Sequence, residues 1–178
     1  RIFHWAVGAG KRYRSARRSG RTPLFGTLAY RLADALVFGK IRARTGGRIR
    51  FFASGGAALS RELGEFFEAI GIQIIEGYGM TECCGFSTVQ REGAVRPGTV
   101  GTPIPGLEVR LGDDGEVLKR GECVFMGYYQ DPESTAAAVR DGWLHSGDVG
   151  AFDPGGQLRI VDRKKAIFVT AGGKNVSP

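Results

Sequence analysis

Four short stretches hold the residues able to do chemistry, and glycine marks each of them. Ser54-Gly55-Gly56-Ala57-Ala58-Leu59 brings two glycines and a small residue into one turn, where bare backbone can approach a flat ligand. Gly77-Tyr78-Gly79-Met80-Thr81-Glu82 sets a ring, a hydroxyl and a carboxylate close together. The ring can stack on a base, the hydroxyl can bond a phosphate oxygen, and the carboxylate can hold Mg2+. Gly142-Trp143-Leu144-His145-Ser146-Gly147-Asp148 places a carboxylate behind a glycine at a strand start, able to accept from both hydroxyls of a ribose. Asp162-Arg163-Lys164-Lys165, followed by Ala171-Gly172-Gly173-Lys174-Asn175, gathers cations that can face phosphate. Each stretch also has a plain structural use: a strand–helix turn, a capped helix start, a turn, a solvated charge cluster.

The elements that must position these stretches are legible in the apolar periodicity. Residues 2–18 and 27–44 read as helices, with Phe3, Val7 and Gly10 alternating with basic positions in the first and Leu28, Leu32, Ala35 and Leu36 along one face of the second. A strand over 48–53 leads into the Ser54 turn. Ser60 caps a helix through Ala69 whose stripe is Leu63, Phe66, Phe67 and Ile70, Gly71 ends it, and 72–75 is the next strand. Strand, helix and strand with short connections predict a βαβ unit with parallel, neighbouring strands. After about residue 90 the period shortens to strands at 109–111, 116–119, 123–126, 149–152 and 158–161. Hairpin turns at Gly112-Asp-Asp-Gly115 and Asp153-Pro-Gly-Gly156 join them. One helix, capped at Asp131 with Pro132 at its first position, runs to about Arg140. The expectation is an α/β chain: a βαβ part, then a small antiparallel, barrel-like subdomain.

The 178 residues suit one ordinary domain or part of one, and no apolar run reaches the roughly 20 residues of a membrane helix. The start has no signal-peptide architecture and no initiator Met, so the chain is expected to begin inside a longer protein. Net charge is +7, but residues 1–50 carry 13 basic residues against one acid, Asp34, while the remainder is net acidic. A basic half can meet nucleic acid, anionic lipid or an anionic substrate; at helical spacing it is more often a solvated face. Only Tyr13 interleaves Lys11, Arg12, Arg14, Arg17 and Arg18, so nucleic acid is not expected. The three cysteines (Cys83, Cys84, Cys123) and two histidines form no zinc pattern, and free thiols point to a reducing, cytoplasmic setting. Spacing leaves a Cys83–His145 nucleophilic pair open, though nothing marks an orienting third group.

In this order and spacing the stretches resemble the adenylate-forming superfamily of acyl-CoA synthetases, luciferase-type enzymes and peptide-synthetase adenylation domains. YGMTE (78–82) is similar to its signature loop and SGGAAL (54–59) to its adenine-binding turn. GEVLKRGECVFMGYYQDPEST (115–135) is similar to its glycine-rich mid-motif, and GWLHSGDVG (142–150) and IVDRKKAIFVTAGGKNVSP (160–178) to its two late motifs. Residues 1–47 match more loosely, in the manner of the long-chain fatty acyl-CoA branch. The resemblance implies joining a fatty acid to ATP with loss of pyrophosphate, then passing the acyl group from AMP to the thiol of coenzyme A. It places Gly55, Gly56 and Ala57 on one face of adenine and Tyr78 on the other. Thr81 bonds the α-phosphate, Glu82 ligates Mg2+, Gly79 borders the acyl pocket, and Asp148 and Arg163 hold the ribose. Lys165 is implied as the hinge of a swinging C-terminal domain, with Gly172 and Gly173 beside the pantetheine arm.

The departures are informative. The Ser/Thr/Gly-rich phosphate loop and the adenylation lysine near the family's C-terminus are absent, alanine replaces the common proline at position 58, and serine the common threonine at position 146. The implied reading is a fragment, inactive alone. Residues 1–90 are the helical and βαβ part of the large domain, 91–162 the β subdomain, and 163–178 the hinge and a stub of a missing C-terminal domain. Activation of an aryl, sterol-derived or amino acid is a rival within the superfamily. A nucleic-acid or lipid-binding module is a rival outside it, and peripheral membrane contact through the basic N-terminal helices is open.

Overall fold

A computed structural model of the chain describes residues 1–21 and 24–164, and the backbone of 168–169 and 175–176. Lys165, Gly172 and Gly173 lie outside the described residues. The chain forms two compact units, one of Arg1–Glu76 with Gln90–Gly98, the other of Gly77–Val89 with the chain from Thr99 onward.

The first unit opens with helix α1 (Ile2–Arg18), then α2 (Leu24–Ala33), a π-helical turn (Asp34–Phe38) and α3 (Gly39–Arg44). Strand β1 (Phe51–Ser54), α4 (Arg61–Ala69) and the first half of β2 (Gln73–Met80) complete the βαβ unit. Phe51 to Ser54 run parallel to Gln73 to Glu76, in register. Helix α4 starts where expected because the Ser60 hydroxyl oxygen accepts from Leu63 N–H at 3.2 Å, and it ends before Gly71, whose φ is +81°. The core is small residues under bulky ones: Ala6 and Ala9 of α1, Ala33, Phe38, Ile70 and Ile72. Gly10 lets α1 approach α4, since a Cβ there would stand 2.6 Å from the Ala69 carbonyl oxygen.

The face of the second helix corrects the periodicity reading. Leu28, Leu32 and Leu36 are exposed, whereas Ala33 and Phe38 are buried and Ala29, Tyr30, Val37 and Ile41 pack beside them. The Tyr13 and Tyr30 rings stack at 4.3 Å between centroids, and the small Ala33 permits close approach. These contacts, with the wide turn at Asp34–Phe38, select the other side. Much of the basic charge is used locally. Arg18 pairs with Glu68 at 2.8 Å and Arg42 with Asp34 at 2.8 Å, Arg42 also donates to the Ile70 carbonyl, and Arg14 donates to the Tyr30 hydroxyl.

In the second unit, residues 77–80 of β2 pair antiparallel with β3 (Gly85–Val89) across a tight 3-10 turn (Thr81–Cys83), and β3 pairs with β4 (Thr102–Pro103). The sequence reading starts this strand at 72–75 and puts Gly77 directly after it. The observed strand runs on because an antiparallel partner returns at once to satisfy its backbone groups. A five-stranded antiparallel sheet follows in the order β5-β6-β8-β7, with β9 also on β8. The strands are β5 (Leu107–Leu111), β6 (Glu116–Gly121), β7 (Val139–Arg140), β8 (Trp143–Phe152) and β9 (Leu158–Arg163). Helix α5 (Pro132–Ala138) is capped by Asp131, whose carboxylate accepts from Ser134 N–H at 2.9 Å; it stops two residues short of Arg140 because 139–140 pair with β8. Residues 123–126 form an irregular segment of turn and bends rather than the expected strand. Strands β10 (Phe168–Val169) and β11 (Asn175–Val176) pair antiparallel.

Candidate functional site

The second unit gathers Tyr78, Thr81, Glu82, Asp148 and Arg163 on neighbouring strands and turns. Asp148 lies in the middle of β8 rather than at a strand start, in register with Arg163 of β9, so that the two side chains meet. Arg163 Nε is 3.0 Å from Asp148 Oδ1, and the Tyr78 hydroxyl donates to Asp148 Oδ2 at 2.6 Å. The Asp148 N–H donates to the Ser146 hydroxyl at 3.1 Å, which fixes the residue's own backbone. Gly147, with φ +73°, lies next to Asp148 in the stretch where the pairing of β8 with β6 shifts register. Burial, then donation to Asp148, pushes the Tyr78 hydroxyl up, so it remains a protonated donor at neutral pH. The carboxylate is buried while Arg163 is largely exposed, so Asp148 is oriented from both sides.

Gly79 is required by close approach. A Cβ there would lie 1.7 Å from the Gly85 carbonyl oxygen, so no side chain fits between β2 and β3. Thr81 opens the 3-10 turn and is exposed; its carbonyl accepts from Cys84 N–H at 3.0 Å. The Glu82 carbonyl accepts from Phe125 N–H at 2.8 Å, which ties the turn to the segment after β6. Its carboxylate accepts from the Tyr128 hydroxyl at 2.7 Å through Oε1. That contact raises the Tyr128 hydroxyl, the hydrogen bond being the largest cause. A single carboxylate offering oxygen fits a hard divalent cation that keeps most of its own waters. Among the described residues no group of three or more His, Cys, Asp and Glu side chains could hold a metal. Gly55, Gly56 and Ala57 belong to the first unit, in the exposed turn after β1, where Gly56 has φ +79° and open space beside it.

Three residues of this region were missed by sequence reasoning. Glu116 is buried at the start of β6; its Oε1 accepts from Gly147 N–H at 2.8 Å, and its Oε2 accepts from Lys164 Nζ at 2.9 Å and lies 3.0 Å from His145 Nδ1. Burial raises its carboxyl, but the bonds from His145, Lys164 and Gly147 outweigh that and hold it below the ordinary glutamate value. His145 is therefore engaged with Glu116, while Cys83 sits in an apolar cluster with Leu107 and Leu144, where burial raises its thiol. The nucleophilic-pair reading loses its base. Lys119, on β6, is fully buried, with Nζ 4.2 Å from the Tyr78 ring centroid. The alternation of β6 offered a signal, since a lysine follows Val117 on the same face where an apolar residue belongs. Tyr128 had none beyond its place in the glycine-rich mid-motif.

The chain matches the AMP-binding enzyme family over residues 18–129. It is 43% identical over all 178 residues to the long-chain-fatty-acid–CoA ligase FadD15 of Mycobacterium bovis, and spans 30% of that relative's length. Solved structures that resemble it include two CoA ligases. One is a fatty acyl CoA synthetase of Mycobacterium tuberculosis (TM-score 0.60, 30% identity, 79% of this chain and 31% of that one). The other is the anthranilate CoA ligase AuaEII in complex with anthranoyl-AMP (TM-score 0.62, 32% identity, 72% of this chain and 27% of that one). With more than half of its residues in the family match, the chain belongs to the AMP-binding enzymes.

Proposed function

We propose that the chain is part of a ligase that activates a long-chain fatty acid with ATP, releasing pyrophosphate, and transfers the acyl group from AMP to coenzyme A. The observation that carries this reading is the convergence of Tyr78 and Arg163 on the Asp148 carboxylate, 2.6 Å and 3.0 Å away. A carboxylate so oriented accepts from both ribose hydroxyls, with the Tyr78 ring beside it to stack on the base. Identity to a fatty-acid ligase across the whole chain favours the fatty acid over an aryl or amino acid.

In this reading no side chain attacks the substrate. The acid's own carboxylate is the nucleophile at the α-phosphorus, so this chain's work is positioning and electrostatics. Asp148 and Arg163 fix the ribose, and the Thr81 hydroxyl donates to an α-phosphate oxygen. Glu82 would hold Mg2+, which when bound supplies neutralisation of the phosphate charge. Gly79 leaves room for the acyl carboxylate. The contact of Gly55, Gly56 and Ala57 with adenine rests on the sequence resemblance. So do the hinge role of Lys165, the place of Gly172 and Gly173 beside the pantetheine arm, and the division at residues 90 and 162. Among the described residues no helix is long and apolar enough to cross a membrane. We place the protein in the cytoplasm, with the basic surface of α1 available for peripheral contact with anionic lipid, which liposome co-sedimentation tests.

The reading is checked by fatty-acid-dependent exchange of pyrophosphate into ATP, using the complete polypeptide that contains these residues. Asp148→Ala is expected to lower AMP affinity roughly 10- to 100-fold, the scale of one or two charge-assisted hydrogen bonds. Wild-type affinity in that variant would remove Asp148 from the site.

A further inference from the structure

Among the described residues, the second unit holds a fully buried cation that the proposed chemistry does not use. Lys119 lies on the inward face of β6, beside Val117 and opposite Val109 and Leu144 on the flanking strands. It is 0% exposed, and its Nζ has no hydrogen-bond partner among the described residues. A buried ammonium with no acceptor is costly, and a leucine at this position would remove that cost. What Nζ does face is the Tyr78 ring, 4.2 Å from its centroid. That is cation–π range, and the same ring's hydroxyl holds Asp148.

We propose that Lys119 is a positioning residue of the nucleotide pocket: from beneath the Tyr78 ring it fixes the ring's plane and lends a positive charge to an anionic nucleotide held by the Tyr78–Asp148 pair. The inference rests on the nucleotide reading above. A cation under one face of a ring withdraws electron density from the other, which favours stacking of an electron-rich purine there. The charge also lies on the side of the unit where the Thr81–Cys83 turn and β8 meet it. The titratable groups that act on Nζ are the Cys83 thiol and Glu82 of that turn, Cys123 after β6, and Asp148 of β8, whose charge is already shared with Arg163. Burial pulls the lysine down from its usual value, and these anionic or ionisable neighbours restore part of it. In the free protein the ammonium is thus less firmly charged than an exposed lysine. A bound phosphate dianion favours the charged form. Binding therefore takes up protons in the alkaline range, and affinity falls as pH rises through that range.

The experiment is titration calorimetry of AMP binding to the complete polypeptide between about pH 7.5 and 9.5, in paired buffers of different ionisation enthalpy; the AMP phosphate is already dianionic there. Wild type is expected to take up a fraction of a proton that grows with pH. Lys119→Met keeps the length of the side chain without its charge. It is expected to abolish the uptake, flatten the pH profile and weaken AMP binding roughly 3- to 10-fold, the scale of a desolvated cation over an aromatic face. A purely structural lysine would change stability and leave the proton count alone. Should Lys119→Met fail to fold, the wild-type proton count still decides. AMP binding without proton uptake overturns this inference and leaves the nucleotide reading intact. No AMP binding at all overturns both.

Discussion

Replacing Glu116 should loosen the joint that presents Asp148 and Arg163. The carboxylate is buried between β8 and the residue following β9, accepts from Gly147 N–H and Lys164 Nζ, and lies beside His145 Nδ1. Lys164 also pairs with the exposed Asp114. Glu116→Ala leaves the Gly147 N–H, adjacent to Asp148, without its acceptor, which costs about 1–3 kcal/mol. Loss of the solvent-screened Lys164 pair adds little to this. A total of about 1–3 kcal/mol is expected from urea unfolding at pH 7, followed by tryptophan emission. Glu116→Gln keeps an acceptor for Gly147 and should cost about 1 kcal/mol. The pH dependence has a definite sign. A carboxyl held below its ordinary value contributes stability that is complete above about pH 4.3, its unfolded value, and is lost as pH falls through the folded one. The gap between wild type and Glu116→Gln should therefore be full at neutral pH and close in acid. A Glu116→Ala protein within about 0.5 kcal/mol of wild type, or a gap that widens on acidification, would refute the argument.

Gly79→Ala forces a Cβ to within 1.7 Å of the Gly85 carbonyl oxygen, so β2 and β3 must separate. The expected result is a loss of about 3 kcal/mol or of soluble protein, read by thermal melting; a normal melt would show that the hairpin yields without cost. Tyr128→Phe releases the Glu82 carboxylate from its 2.7 Å hydrogen bond. In the exchange assay the Mg2+ concentration at half-saturation should fall roughly 2- to 10-fold, the scale of one exposed hydrogen bond, and an unchanged or higher value would separate Glu82 from the metal.

Local chemistry alone determined the parts of this protein whose causes lie within a few residues. The Ser60 cap, the Gly71 stop, the Asp131–Pro132 start and the turns at 112–115 and 153–156 are short-range steric and hydrogen-bonding effects, and the sequence shows them directly. The motifs likewise nominated Tyr78, Glu82, Asp148 and Arg163, because their residue types and order carry the chemistry. What tertiary structure decided has partners far away in the chain. Which face of the second helix packs depends on Tyr13 and on the wide turn at Asp34–Phe38. That the strand continues from residue 75 through Met80 depends on β3 coming back beside it. The meeting of Asp148 with Arg163 is a matter of strand register, and a slip of one residue would send one of them to the opposite face. The burial of Lys119 under Tyr78 and the enclosure of Glu116 arise only when strands distant in sequence are laid side by side, because burial and charge pairing are properties of neighbours in space.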